Sequence, residues 1–233
     1  METEKPVKLL EKNIGQEGEE EEEKKEKSPL KIILAIFLVL LLIVLAMPYY
    51  NIRTNPSPDM KKIPSLQEVL SLSNITLEEN VTHRINNIEE FALFIKADDP
   101  IIRNIATKIV TESCVQSEIC YAKALYYFVR NNIKYVSDPK RFEYAETPRE
   151  ILLTGGGDCD SHSILLASLN EAIGITTRLV FVPSHVYVQI YLPEARKGYK
   201  TEGDMISLDT TCKNCEFGEL SPFMKKEPRR YLP

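Results

Sequence analysis

Three residues in this chain have the types and the order to do acyl-transfer chemistry. Cys159 lies in Gly155-Gly156-Gly157-Asp158-Cys159-Asp160, directly before the apolar run Ile164 to Ile173, which reads as a buried helix. His185 opens a segment of period two, and Asp209 closes another. A cysteine at a helix start, then a histidine, then a carboxylate is the order of a thiol nucleophile, its base and the group that orients the base. In the first turn of a helix, unpaired amides and the helix dipole favour a thiolate over a thiol. The aspartates on either side of Cys159 are poor company for a buried core cysteine.

Each of the three residues has a positioning element. The glycines before Asp158 let the chain approach closely and turn sharply into the helix. In the histidine segment Val186, Val188, Ile190 and Leu192 take one face, and His185, Tyr187, Gln189 and Tyr191 take the other. The valine face reads as the core side, so the histidine is expected on the opposite face, where a site could lie. Ile206 and Leu208 likewise alternate with Ser207 and Asp209. His162 is three residues beyond Cys159 on roughly the same helix face and reads as a solvated side chain.

Helices are expected at Ser65–Leu72, Leu77–Ile95, from Asp98-Asp99-Pro100 to Ser113, at Glu118–Asn131, and from Thr147-Pro148 to Leu153. Ile133–Val136 reads as a short extended piece. Asp99 and Thr147 are caps, each followed by a proline that suits a first helical turn. Strands are expected at Thr177–Pro183, His185–Leu192 and Met205–Asp209, with Glu194 to Gly203 as a polar insert. Helices first and an antiparallel-looking sheet second make an α+β fold.

The chain has 233 residues and a formal net charge of −5, and nothing in that charge suggests nucleic acid. Residues 1–29 are dominated by charge, with an unbroken glutamate run Glu19–Glu23, and read as a disordered tail. Ile32 to Met47 is a run of sixteen apolar residues, and 30–50 carries one charge, Lys31. With Tyr49 and Tyr50 as interfacial anchors this reads as a transmembrane helix. An uncleaved anchor fits better than a signal peptide, because the polar region ahead of it is long and the apolar run exceeds a signal core. Residues 51–64 then read as a linker, 65–113 as a helical region and 114–233 as the catalytic core. The lysines before the span lean toward a cytoplasmic N-terminus and an external domain. The sequons Asn74-Ile75-Thr76 and Asn80-Val81-Thr82 fit that placement.

The remaining cysteines, Cys114, Cys120, Cys212 and Cys215, are even in number and fit two disulfides in an oxidising compartment, with three connectivities open. A four-cysteine zinc site is the rival, for which the spacing of the first pair is poor. No cofactor is called for.

Taken together, Gly156-Gly157-Asp158-Cys159-Asp160, Leu165-Leu166-Ala167-Ser168-Leu169, Ile173-Gly174-Ile175, His185-Val186-Tyr187-Val188 and Leu208-Asp209-Thr210-Thr211 resemble the transglutaminase-like superfamily core. The resemblance covers about Glu118 to Cys212 and is strongest to membrane-anchored archaeal proteins of that type. It implies a papain-like fold, with Cys159 as nucleophile, His185 as base and Asp209 as orienter. It also implies acyl transfer through a thioester, with water or an amine as acceptor and a peptide or protein as substrate. The chain has no tryptophan, the residue that animal transglutaminases and peptide N-glycanases use beside the nucleophile. The expected activity is therefore a peptidase or amidase first and a protein-glutamine transglutaminase second. A surface binding module of the same fold is the non-catalytic alternative.

Overall fold

The computed structural model describes residues 29–54, 60–71, 75, 84–138 and 144–233, with 46–54 described in backbone alone. The chain divides into two units at Pro48 and Tyr49. The expected membrane span falls on helix α1 (Pro29–Thr54), whose large apolar side chains from Leu30 to Leu45 are exposed. Side chains 46–50 of that span lie outside the described residues. Among the described residues, no helix is long and apolar enough to cross a membrane. The acidic tail, Asn74 and Thr76 of the first sequon and the whole of the second sequon also lie outside the described residues.

In the second unit a short α2 (Leu66–Leu70) starts on a capping box made by Ser65 and Glu68. The described part of the expected helix Leu77–Ile95 is instead a 3₁₀-helix, Ile88–Phe94, capped by the Asn87 side chain. The Asn87 side chain accepts from the Glu90 amide, which sets the start of this turn. Phe91 and Phe94 still reach the core.

Helix α3 (Pro100–Ser113) begins where its cap and proline require, with the Asp99 side chain accepting from the Ile101 amide. Asp99 also takes a bidentate ion pair from Arg149, 2.6 Å from Nε and 2.9 Å from Nη2, which ties α3 to the helix before the nucleophile. Helix α4 (Glu118–Asn132) follows, then β1 (Lys134–Tyr135). Helix α5 (Pro148–Thr154) is capped by a Thr147–Glu150 capping box and ends at Gly155, in the left-handed conformation at φ 67°. Gly156–Gly157 form β2, paired in parallel with β1.

Helix α6 (Cys159–Ala172) is the centre of the domain. Every residue from Asp160 to Asn170 is buried, because α6 packs on α3, α4, α5 and the sheet. Some of its interior polar groups find partners on the helix itself or on the chain before α3. Ser168 Oγ donates to the Ile164 carbonyl and accepts from the Lys96 amide, and Asn170 Nδ2 donates to the Leu166 carbonyl. Five antiparallel strands follow: β3 (Thr177–Val182), β4 (His185–Tyr191), β5 (Lys200–Glu202), β6 (Met205–Leu208) and β7 (Arg230–Leu232), in the order β5-β6-β4-β3-β7. The fold is thus mixed helix and antiparallel sheet, as expected. The polar insert holds the edge strand β5, and the C-terminus supplies β7 at the other edge.

One core runs through the helices and one face of the sheet, from Ile102, Ile105 and Ile109 through Leu165 and Leu166 to Val188, Ile190 and Ile206. The other sheet face is buried too, in a second, smaller cluster. Tyr187 and Gln189 are fully buried, Tyr187 in that cluster with Val180, Val182 and Leu220. Residues after β6 return to cover that face, which local periodicity could not reveal.

Candidate active site

Cys159 is the first residue of α6, and Asp158 is its cap. Asp158 Oδ1 accepts from the amides of Asp160 and Ser161 at 3.2 and 3.3 Å. Gly157 is the tightest point of the approach. A Cβ there would lie 2.4 Å from Ser161 Cβ and 2.8 Å from Glu146 Oε2. Ser161 Oγ donates to that same Glu146 carboxylate at 2.7 Å, which fixes the first turn of α6 against the segment entering α5. Burial and the neighbouring acids Asp138, Glu150 and Asp158 push the Glu146 carboxyl above its usual range, outweighing the Ser161 bond.

His185 opens β4 directly after Ser184, which holds φ 60° in the turn from β3. Its Nε2 is 3.0 Å from Asp209 Oδ2, and Cys159 acts on the same ring electrostatically. With Nε2 taken by the carboxylate, Nδ1 is the ring nitrogen left for the thiol. Burial opposes a charge on this ring, but Asp209 and Cys159 prevail and the pKa is pushed up to about 9.

Asp209 is 4% exposed and directly follows β6, one residue short of the expected strand Met205–Asp209. Burial would raise its pKa, yet it is lowered by His185 and by bonds from Thr211. Its second oxygen, Oδ1, accepts from Thr211 N (3.0 Å), Thr211 Oγ1 (2.7 Å) and Cys212 N (3.2 Å), so the carboxylate cannot rotate away from the imidazole. Tyr126 Oη on α4 donates to the Cys215 carbonyl at 2.9 Å, with the Asp209 carbonyl 3.4 Å away. The Cys212–Cys215 disulfide thus sits in the loop that holds Asp209. Cys114–Cys120 is the other pair, and Cys159 is left free.

All three residues singled out from the sequence therefore meet at one place. The sequence reading missed two others. Ser163 Oγ is shared between the Cys159 carbonyl (2.8 Å) and the Val186 carbonyl (3.2 Å), tying the thiol's turn to the start of the histidine strand. His162 is not solvated: it is 2% exposed, with Nδ1 3.1 Å from Thr210 Oγ1. Burial lowers its pKa to about 4, so the ring is neutral at ordinary pH. Its place on the nucleophile's own helix face was a visible signal, but burial depended on Thr210 arriving from the far end of β6.

A free cysteine at a helix start, in electrostatic reach of a histidine that is held by a buried carboxylate, defines a thiol site of the Cys/His/Asp type on an α+β scaffold. Residues 103–200 match the family described as the transglutaminase-like superfamily. No curated protein matches the chain significantly. Among solved structures, it is similar to LapG of Legionella pneumophila at 16% identity and a TM-score of 0.37, covering 64% of this chain and 75% of that one. An EGTA-treated form of LapG gives the same identity and TM-score, covering 64% and 73%. A putative protease from Parabacteroides distasonis is similar at 12% identity and a TM-score of 0.40, covering 59% of this chain and 32% of that one.

Proposed function

We propose that the protein is a membrane-anchored cysteine acyl-transfer enzyme, a peptidase or amidase working through Cys159, His185 and Asp209. The observation that carries this reading is the placement of His185, its Nε2 3.0 Å from Asp209 Oδ2 and its charge favoured by the neighbouring Cys159. A histidine held charged to about pH 9 beside a thiol supports a thiolate–imidazolium pair.

The thiolate attacks the amide carbonyl carbon and forms a C–S bond. The imidazolium of His185 gives its proton to the leaving amine as the C–N bond breaks, which leaves a thioester and a neutral imidazole. That imidazole then takes a proton from water as the water oxygen attacks the thioester. The acid product leaves, and the thiolate–imidazolium pair is restored. Asp209 holds the ring in one tautomer throughout. The Cys159 amide, at a helix start, is the natural donor to the oxyanion.

The anchor rests on the sixteen-residue apolar run in α1 and on its exposed side chains. The lysines before the run favour a cytoplasmic N-terminus and an external domain.

Once a substrate is found by screening peptide amides, Cys159→Ser is expected to cut turnover by about 10³-fold or more with the fold intact. Turnover preserved in that variant would sink the mechanism. Incorporation of a labelled amine into glutamine-bearing protein, without hydrolysis, would move the assignment to a transglutaminase.

A further inference from the structure

Two consecutive residues of the nucleophile's helix each hold the residue that directly follows another member of the site. Ser163 Oγ lies 3.2 Å from the Val186 carbonyl, and Val186 follows His185. His162 Nδ1 lies 3.1 Å from Thr210 Oγ1, and Thr210 follows Asp209. Cys159 and His162 stand at i and i+3 on α6, so a single turn carries both the thiol and the ring that holds the carboxylate's neighbour. The Asp209 carboxylate takes its bonds from His185, Thr211 and Cys212, all outside α6. The bond to Thr210 joins that segment to the nucleophile's helix.

Packing alone does not ask for a histidine at this position. The ring is buried, as is Thr210, and an apolar side chain would fill the space without desolvating ring nitrogens. Water does not reach the bond to take up a lost partner, so a shift of either group is felt by the other. We infer that His162 is a positioning residue, its bond to Thr210 setting Asp209 against Cys159 as Ser163 sets His185 through Val186. Without the bond the end of β6 moves off α6, and Asp209 carries the His185 ring with it. Cys159 then loses the imidazolium that keeps it a thiolate. The inference rests on Cys159 being the nucleophile, so its test separates the two claims.

The full chain in detergent is alkylated with iodoacetamide across pH, and Cys159 is followed by peptide mapping. Thr210→Val removes the hydroxyl and keeps the shape. It is expected to slow labelling at about pH 6 by roughly tenfold or more, the scale of loss that small misplacements bring. The profile moves toward that of an ordinary thiol, with a pKa of about 8.5. An asparagine amide reaches the place of Nδ1 and a glutamine amide that of Nε2. His162→Asn and Thr210→Ser should therefore stay within about threefold of wild type, while His162→Gln falls with Thr210→Val. Combining His162→Gln with Thr210→Val should be no slower than the slower single change, because both remove one bond. Denaturant midpoints are taken on each variant. A residue that only stabilises the fold lowers the midpoint and leaves the pH profile of the folded protein in place. An ordinary-thiol profile in the wild type removes the nucleophile and the role of His162 together. Rapid wild-type labelling with a profile unchanged in both Thr210→Val and His162→Gln overturns the role of His162 alone.

Discussion

His185 and His162 sit in one site with opposite protonation. His185 is bonded to a carboxylate, lies in the field of a thiol and is held charged. His162 is buried against a hydroxyl and is held neutral. Each shift has a consequence for stability against pH. For His185 the folded pKa lies above the unfolded value of about 6.5, so its contribution is complete below that pH and is lost as pH rises through 9. For His162 the folded pKa lies below the unfolded value. The unfolded chain then binds the proton first, and stability falls by roughly 3 kcal/mol as pH drops from about 6.5 toward 4. Denaturant midpoints measured across pH should peak between these limbs. His162→Gln should flatten the acid limb above pH 4, and an unchanged acid limb in that variant would place the loss elsewhere.

At the scale of elements, the site depends on short pieces that hold longer ones in place. The β1–β2 pair is two residues on each strand, yet it delivers the chain to Asp158. Gly157→Ala puts a carbon 2.4 Å from Ser161 Cβ, so the first turn of α6 must shift. We expect a loss of roughly 1–3 kcal/mol in chemical denaturation, the usual cost of overpacking, together with loss of rapid Cys159 alkylation. Wild-type labelling and stability in Gly157→Ala would show that the turn is not tightly set.

These small elements are also what the sequence hid. The caps Asp99-Pro100 and Thr147-Pro148 carry their own signal, and α3 and α5 start where those residues require. A strand of two glycines carries none. β7 was equally silent, because it is held by partners from elsewhere: Arg178 stacks over Tyr231, whose hydroxyl donates to Glu202 of β5. Cys159, His185 and Asp209 were legible because each stands at the end of a strongly patterned segment. Ser163 and His162 were not, because their roles depend on Val186 and Thr210, which only the fold brings near.

For the whole molecule, the proposed anchor and the catalytic unit make separable claims. The apolar run predicts that the full chain stays in the membrane pellet through alkaline carbonate washing and is released by detergent. Deletion of residues 1–50 should move the protein to the soluble fraction. Carbonate extraction of the full chain would remove the anchor from the account and leave the thiol site untouched.

The central claim is that His185 activates Cys159, and the most direct measurement is the rate of iodoacetamide alkylation against pH, with peptide mapping under non-reducing conditions. Cys159 should label selectively and rapidly at about pH 6, where an ordinary thiol is almost wholly protonated. His185→Ala should abolish that low-pH reactivity, and Cys114, Cys120, Cys212 and Cys215 should stay unlabelled as disulfides. Slow labelling that rises only with the profile of an ordinary thiol, or a profile unchanged in His185→Ala, would contradict the account.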